Sequence, residues 1–175
     1  MSELDVMFRD EPDWVNFGAT YVGSEAFRAL FKEGMMLVEE TAAYLDGDGR
    51  TESRLVSRDA SLAYASESMR LTTRLMQIAS WLLVQRAVSE GELTPGQALE
   101  EKTRVKLNAA ETPSPMADSF SLLPLRLQEL VQRSRRLHAR ILHLDTLIAD
   151  DRPAPMAAPS PVAAQHGLLM SAFGR

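Results

Sequence analysis

The stretch of this 175-residue chain that most resembles a reactive site is Asp46-Gly47-Asp48-Gly49-Arg50, whose alternating carboxylates open like a calcium-binding loop. Such a loop needs an oxygen ligand at its fifth position, glycine at its sixth and a bidentate carboxylate at its twelfth. Here Arg50, Thr51 and Ser57 stand in those places, so the stretch reads as a turn that stops a helix. His138 and His143 are five residues apart and fall on different faces of a helix, a poor geometry for joint metal ligation, and His166 lies far along the chain, so the histidines read as solvated or rim side chains. The carboxylate pairs Glu39/Glu40 and Glu100/Glu101 sit in helical sequence, where such runs form solvated faces rather than acid and base pairs. Phosphate-cradling glycine loops, a GxSxG elbow and an HExxH motif are all missing from the sequence. With no cysteine, thiolate zinc sites, disulfides and cysteine nucleophiles are excluded. The expectation is a protein without catalytic residues, metal or cofactor.

One charged pattern remains. Arg126, Arg133 and Arg140 recur every seven residues, with Arg135 and Arg136 beside them. Read as a basic strip, they would contact nucleic-acid phosphates. Read as flanking positions of packed helices, they would pair with acids such as Glu33 and Glu40. The second reading is favoured, because no aromatic residues interleave the arginines as a single-strand binder requires. A formal net charge of -5 argues the same way.

Long helices must position these residues. Phe27, Leu30, Phe31, Gly34, Val38, Thr41 and Leu45 follow three- and four-residue steps, which predicts a first helix over 24–46 with Ser24 as its N-cap. Gly34 in mid-helix costs about 1 kcal/mol relative to alanine and implies that a neighbouring helix approaches closely. A second helix spans 58–90 and stops at Gly91. It carries two apolar stripes. One is Leu62, Ala65, Met69, Thr72, Met76, Ala79 and Leu83; the other is Tyr64, Leu71, Leu75, Ile78 and Leu82. Cover that wide implies contact on more than one side. Leu71, Leu75, Ile78 and Leu82 are taken as the dimer or cargo surface; Met35, Met36, Met69 and Met76 read either as an adaptable docking surface or, in the favoured reading, as core. Thr94, Pro95 and Gln97 form a capping box for a short helix, and residues 108–118 read as a loop. A third helix, about 122–149, repeats Leu127, Ser134, Ile141 and Ile148 at seven beside Leu130, Leu137 and Leu144. The expected fold is all-α, an antiparallel three-helix bundle at 23–150 with an N-terminal segment at 1–22.

Residues 151–175 contain Pro153, Pro155, Pro159 and Pro161 among small residues, the composition of a disordered tether. Yet Leu168, Leu169, Met170 and Phe173 cluster at its tip, which reads as a short docking peptide. The densest apolar run, Ile78 to Val84, is too short to cross a membrane, and the acidic N-terminus lacks a secretory pattern. A cytoplasmic protein is expected.

The stretches EGMMLVEETAAYLDGDGR (33–50), YASESMRLTTRLMQIASWLLVQRAV (64–88) and GELTPGQA (91–98) resemble the alphaproteobacterial RcdA family, regulators of CtrA degradation. The likeness covers roughly 20–150. It implies a homodimeric three-helix bundle without catalytic activity, acting as an adaptor in cell-cycle proteolysis. Such adaptors bind cargo or secondary adaptors and deliver them to the ClpXP protease once a CpdR-type response regulator has primed it. The resemblance also implies a C-terminal extension needed for delivery, the role expected here for Leu168, Leu169, Met170 and Phe173.

Overall fold

The computed structural model describes residues 17–105 and 117–150. Residues 1–16 of the N-terminal segment, residues 106–116, and the tail with Leu168, Leu169, Met170 and Phe173 lie outside the described residues. All regular structure among the described residues is helical: α1 (Phe17–Val22), α2 (Glu25–Asp46), α3 (Asp48–Leu55), α4 (Arg58–Ser89), α5 (Pro95–Val105), a 3-10 segment (Ala117–Leu122) and α6 (Leu125–Asp150).

The helix ends follow local chemistry. Ser24 Oγ accepts from the amide of Phe27 at 3.3 Å, and Ser57 Oγ caps α4 through the amide of Ala60 at 3.3 Å. At α5 the expected box closes in both directions. The Gln97 amide donates to Thr94 Oγ1 at 3.3 Å, and the Thr94 amide donates to Gln97 Oε1 at 3.0 Å. Gly91 ends the long helix with φ of 74°, the left-handed conformation that glycine adopts without steric cost.

The DGDGR stretch does end α2, but the chain at once begins a further helix that the sequence did not signal. This helix, α3, buries only Gly49. A Cβ at that position would lie 2.6 Å from Tyr64 Oη and 2.8 Å from Tyr44 O, so the missing side chain is what lets α3 lie against both tyrosines. Tyr44 Oη then donates to Glu52 Oε2 at 2.6 Å. Burial first, and this bond second, push the Tyr44 hydroxyl well above its ordinary pKa and keep it a donor. Gly49→Ala improves helix propensity by about 1 kcal/mol but forces backbone apart, at a cost of about 1–3 kcal/mol. A net loss of about 1 kcal/mol in thermal unfolding is expected.

The three long helices enclose one core, in which Leu30, Leu71, Ile78, Leu82, Leu127 and Ile141 are at most 1% exposed. Gly34 brings α2 against its neighbours as its position implies: an added Cβ would strike Leu82 Cδ1 and sit 3.6 Å from Ile78 and 3.8 Å from Leu137. The helix directions differ from the expected arrangement. Glu40 pairs with Arg133 and Glu33 with Arg140, so α2 and α6 are antiparallel. Arg74 meets Ser134 and Trp81 meets Asp145, so α4 and α6 run parallel. The reason is the connection between them. Residues 90–124 include α5 and are long enough to return the chain to the end where α4 began.

A polar seam fixes the α4–α6 register. Arg74 Nη1 donates to Ser134 Oγ at 2.8 Å, both side chains being buried. Glu67, also buried, lies 4.0 Å from Arg70 and 3.9 Å from Arg135. His138, expected at a solvated rim, is buried instead, whereas His143 is exposed. Polar groups held this way penalise any slip that would separate them.

Candidate interaction surface

The two stripes of α4 have opposite fates. Leu71, Leu75, Ile78 and Leu82, expected at a dimer or cargo surface, are 0–5% exposed and lie inside the single chain. The physical reason is Gly34: without a side chain there, α2 settles directly onto Leu82 and Ile78. The outward stripe is the other one. Leu62, Met69, Met76 and Leu83 are 57, 72, 66 and 53% exposed, separated by Ala65, Thr72 and Ala79. The methionines expected in the core are thus outside it, Met36 included, while Met35 packs at the core's edge.

Four large apolar side chains every seven residues, with small ones between, repeat with the spacing of a helix-packing seam and lie exposed among the described residues. The signal that separates the stripes was present in the sequence. The buried one has a large residue at nearly every step, whereas the exposed one alternates large with Ala or Thr.

At Met69 the stripe merges with an open groove of about 480 Å³ at the junction of α2, α3 and α4, lined also by Leu45, Arg50, Ser53, Tyr64 and Thr72. The wall hydroxyls donate to their own helix, Ser68 to Ala65 O at 3.0 Å and Thr72 to Ser68 O at 2.9 Å. Their free lone pairs remain as acceptors along the rim.

The arginine strip of α6 is neutralised by α2. Arg133 Nη1 donates to Glu40 Oε2 at 2.8 Å, Arg126 contacts Glu40 Oε1, and Arg140 Nη1 donates to Glu33 Oε2 at 2.8 Å. Arg126 also reaches Glu129 on its own helix at 2.6 Å. Arg126, Arg133 and Arg140 therefore form inter-helix ladder contacts rather than a free basic surface. These pairs are half-exposed and individually weak. Glu40→Gln, which removes the charge shared by two arginines, is expected to cost no more than about 1 kcal/mol in denaturant unfolding, with less effect at high salt.

A third junction secures α5. Asp145 Oδ1 accepts from Trp81 Nε1 at 2.8 Å and from Lys102 Nζ at 2.6 Å, while Lys102 Nζ lies 5.9 Å from the centre of the Trp81 ring. Nothing in the spacing of these three residues marks them as partners.

Among the described residues no His, Asp and Glu are grouped as metal ligands, and no helix is long and apolar enough to cross a membrane.

A family profile described as a protein of unknown function (DUF1465) matches residues 18–173 of this helical chain. The fold is also that of a solved structure, RcdA from Caulobacter crescentus CB15. That structure is 54% identical with a TM-score of 0.58, and the match covers 71% of this chain and 92% of that one. Curated proteins give no match. The chain belongs to the RcdA family.

Proposed function

We propose that this protein is a non-enzymatic adaptor of regulated proteolysis. The bundle holds cargo proteins or secondary adaptors, and residues 151–175 present them to the ClpXP protease primed by a CpdR-type regulator. It acts in the cytoplasm as a homodimer that forms through the outward stripe of α4. The observation that carries this reading is the 54% identity to RcdA over most of the bundle. The outward stripe supports it physically. Leu62, Met69, Met76 and Leu83 on one rigid helix offer about 1.5–3 kcal/mol each on burial, enough for a protein interface.

The test is reconstituted degradation with purified ClpXP, its regulator and candidate cargo. The full chain is expected to accelerate cargo loss. A chain lacking 151–175 is expected to keep its fold and its cargo while losing the acceleration. Equal acceleration by both would remove the tail from the mechanism, and none by the full chain would remove the adaptor reading.

A further inference from the structure

The outward stripe runs from Leu62 to Leu83, about 32 Å of helix, with shallow gaps at Ala65, Thr72 and Ala79. Its direction away from α2 and α6 leaves it uncovered by the described residues. The end of α6 lies close to one end of this stripe. Asp145 is tied to Trp81 and the two helices run parallel, so Asp150, about 7.5 Å further along α6, comes level with the last turns of α4 near Leu83. Twenty-five residues follow Asp150, and their apolar positions are concentrated in Leu168, Leu169, Met170 and Phe173.

We propose that these four tail residues dock on the outward α4 stripe of their own chain, between Leu83 and Met69, and so cap the surface that partners use. Reach supports this occupant. The linker 152–167 has 16 residues, and a flexible chain of that length spans about 22 Å. The distance along α4 from Leu83 to Met69 is about 21 Å. Effective concentration is greatest when a tether's mean length matches its span, and reaches the millimolar range. The chemistry is matched as well: leucines fit the gaps over Ala79 and Thr72, and Phe173 can place its ring edge against a methionine sulfur.

If the tip binds with an intrinsic Kd of about 0.1 mM, a 1 mM effective concentration covers the stripe about ten to one. A second copy or a cargo must then displace the tip, which lowers its apparent affinity about tenfold. The tip, free about a tenth of the time otherwise, becomes fully available when the stripe is occupied. This inference builds on the reading of that face as a binding surface, but its test involves no protease and is independent of delivery.

The chain has no cysteine, so Ser171→Cys gives a single site for a nitroxide on the full-length protein. With methionine methyls isotope-labelled, the nitroxide is expected to broaden Met69 and Met76 in dilute samples, where no second copy competes for the stripe, and to leave Met36 on α2 sharp. Absence of broadening at Met69 and Met76 would overturn the proposal. So would broadening that appears when spin-labelled and isotope-labelled chains are mixed and fades on dilution, since the occupant would then be the tail of a second copy. In the spin-labelled chain, Leu168→Ser with Leu169→Ser and Phe173→Ser should restore sharp Met69 and Met76 signals. Persistent broadening there would show that the apolar tip is not what docks.

Discussion

Trp81→Ala is expected to remove about 4 kcal/mol of stability and to lower the melting temperature by about 10–20 °C. Trp81 is 1% exposed and packs on Phe27 with ring centres 6.5 Å apart. Truncation loses the transfer energy of an indole and leaves a cavity that three helices cannot close together, because their backbones are already held by Gly34 and the α4–α6 polar seam. It also takes the ring from beneath Lys102 and strips Asp145 of one donor, so α5 loses one anchor and the partner of its other is held less firmly.

Trp81→Phe separates these contributions. It keeps an aromatic ring and drops the indole N–H, at an expected cost of about 1–2 kcal/mol. Amide exchange is the sharper readout. In Trp81→Ala, α5 should exchange faster than the global loss of stability accounts for. Uniform change across all helices would contradict the anchoring role of Asp145.

That junction also illustrates what a sequence withholds. Caps, stops and the close approach at Gly34 are local statements, and each could be read because a residue's own chemistry dictates it: a serine hydroxyl within reach of free amides, a glycine that costs helix stability unless a neighbour needs the space. The pairing of Arg126, Arg133 and Arg140 with Glu33 and Glu40 was readable because both sets recur with helical spacing. Trp81, Lys102 and Asp145 have no such periodicity. They meet only because α5 folds back along α4, and a long connection leaves that direction open. The same freedom explains why α4 and α6 are parallel where an up-and-down arrangement was expected. The short α3 was hidden for another reason: Asp48 to Leu55 is poor helical sequence, stabilised by the Tyr44 to Glu52 bond and by the space at Gly49.

Which α4 stripe faces outward decides the second large effect. Met69→Glu with Met76→Glu is expected to leave helix content and melting temperature nearly unchanged, because both side chains are more than half exposed and glutamate is a good helix former. On the proposed dimer and partner surface the same pair should be severe. Each methionine contributes about 1.5–3 kcal/mol when buried, and each glutamate would bring an unpaired charge into an apolar contact. A combined loss of at least about 3 kcal/mol weakens self-association or partner binding by 100-fold or more.

Leu71→Glu, two positions from Met69, is the counterpart. Leu71 is fully buried, so a charge there has no solvent and no partner, and the chain should fail to fold. The contrast between two neighbouring positions on one helix distinguishes an interface from a core. Light scattering together with circular dichroism reads both outcomes. Should the Met69/Met76 variant melt far below the parent, the stripe would be structural. Should it stay folded and associate as tightly as before, the partner surface would have to lie on another face of the bundle.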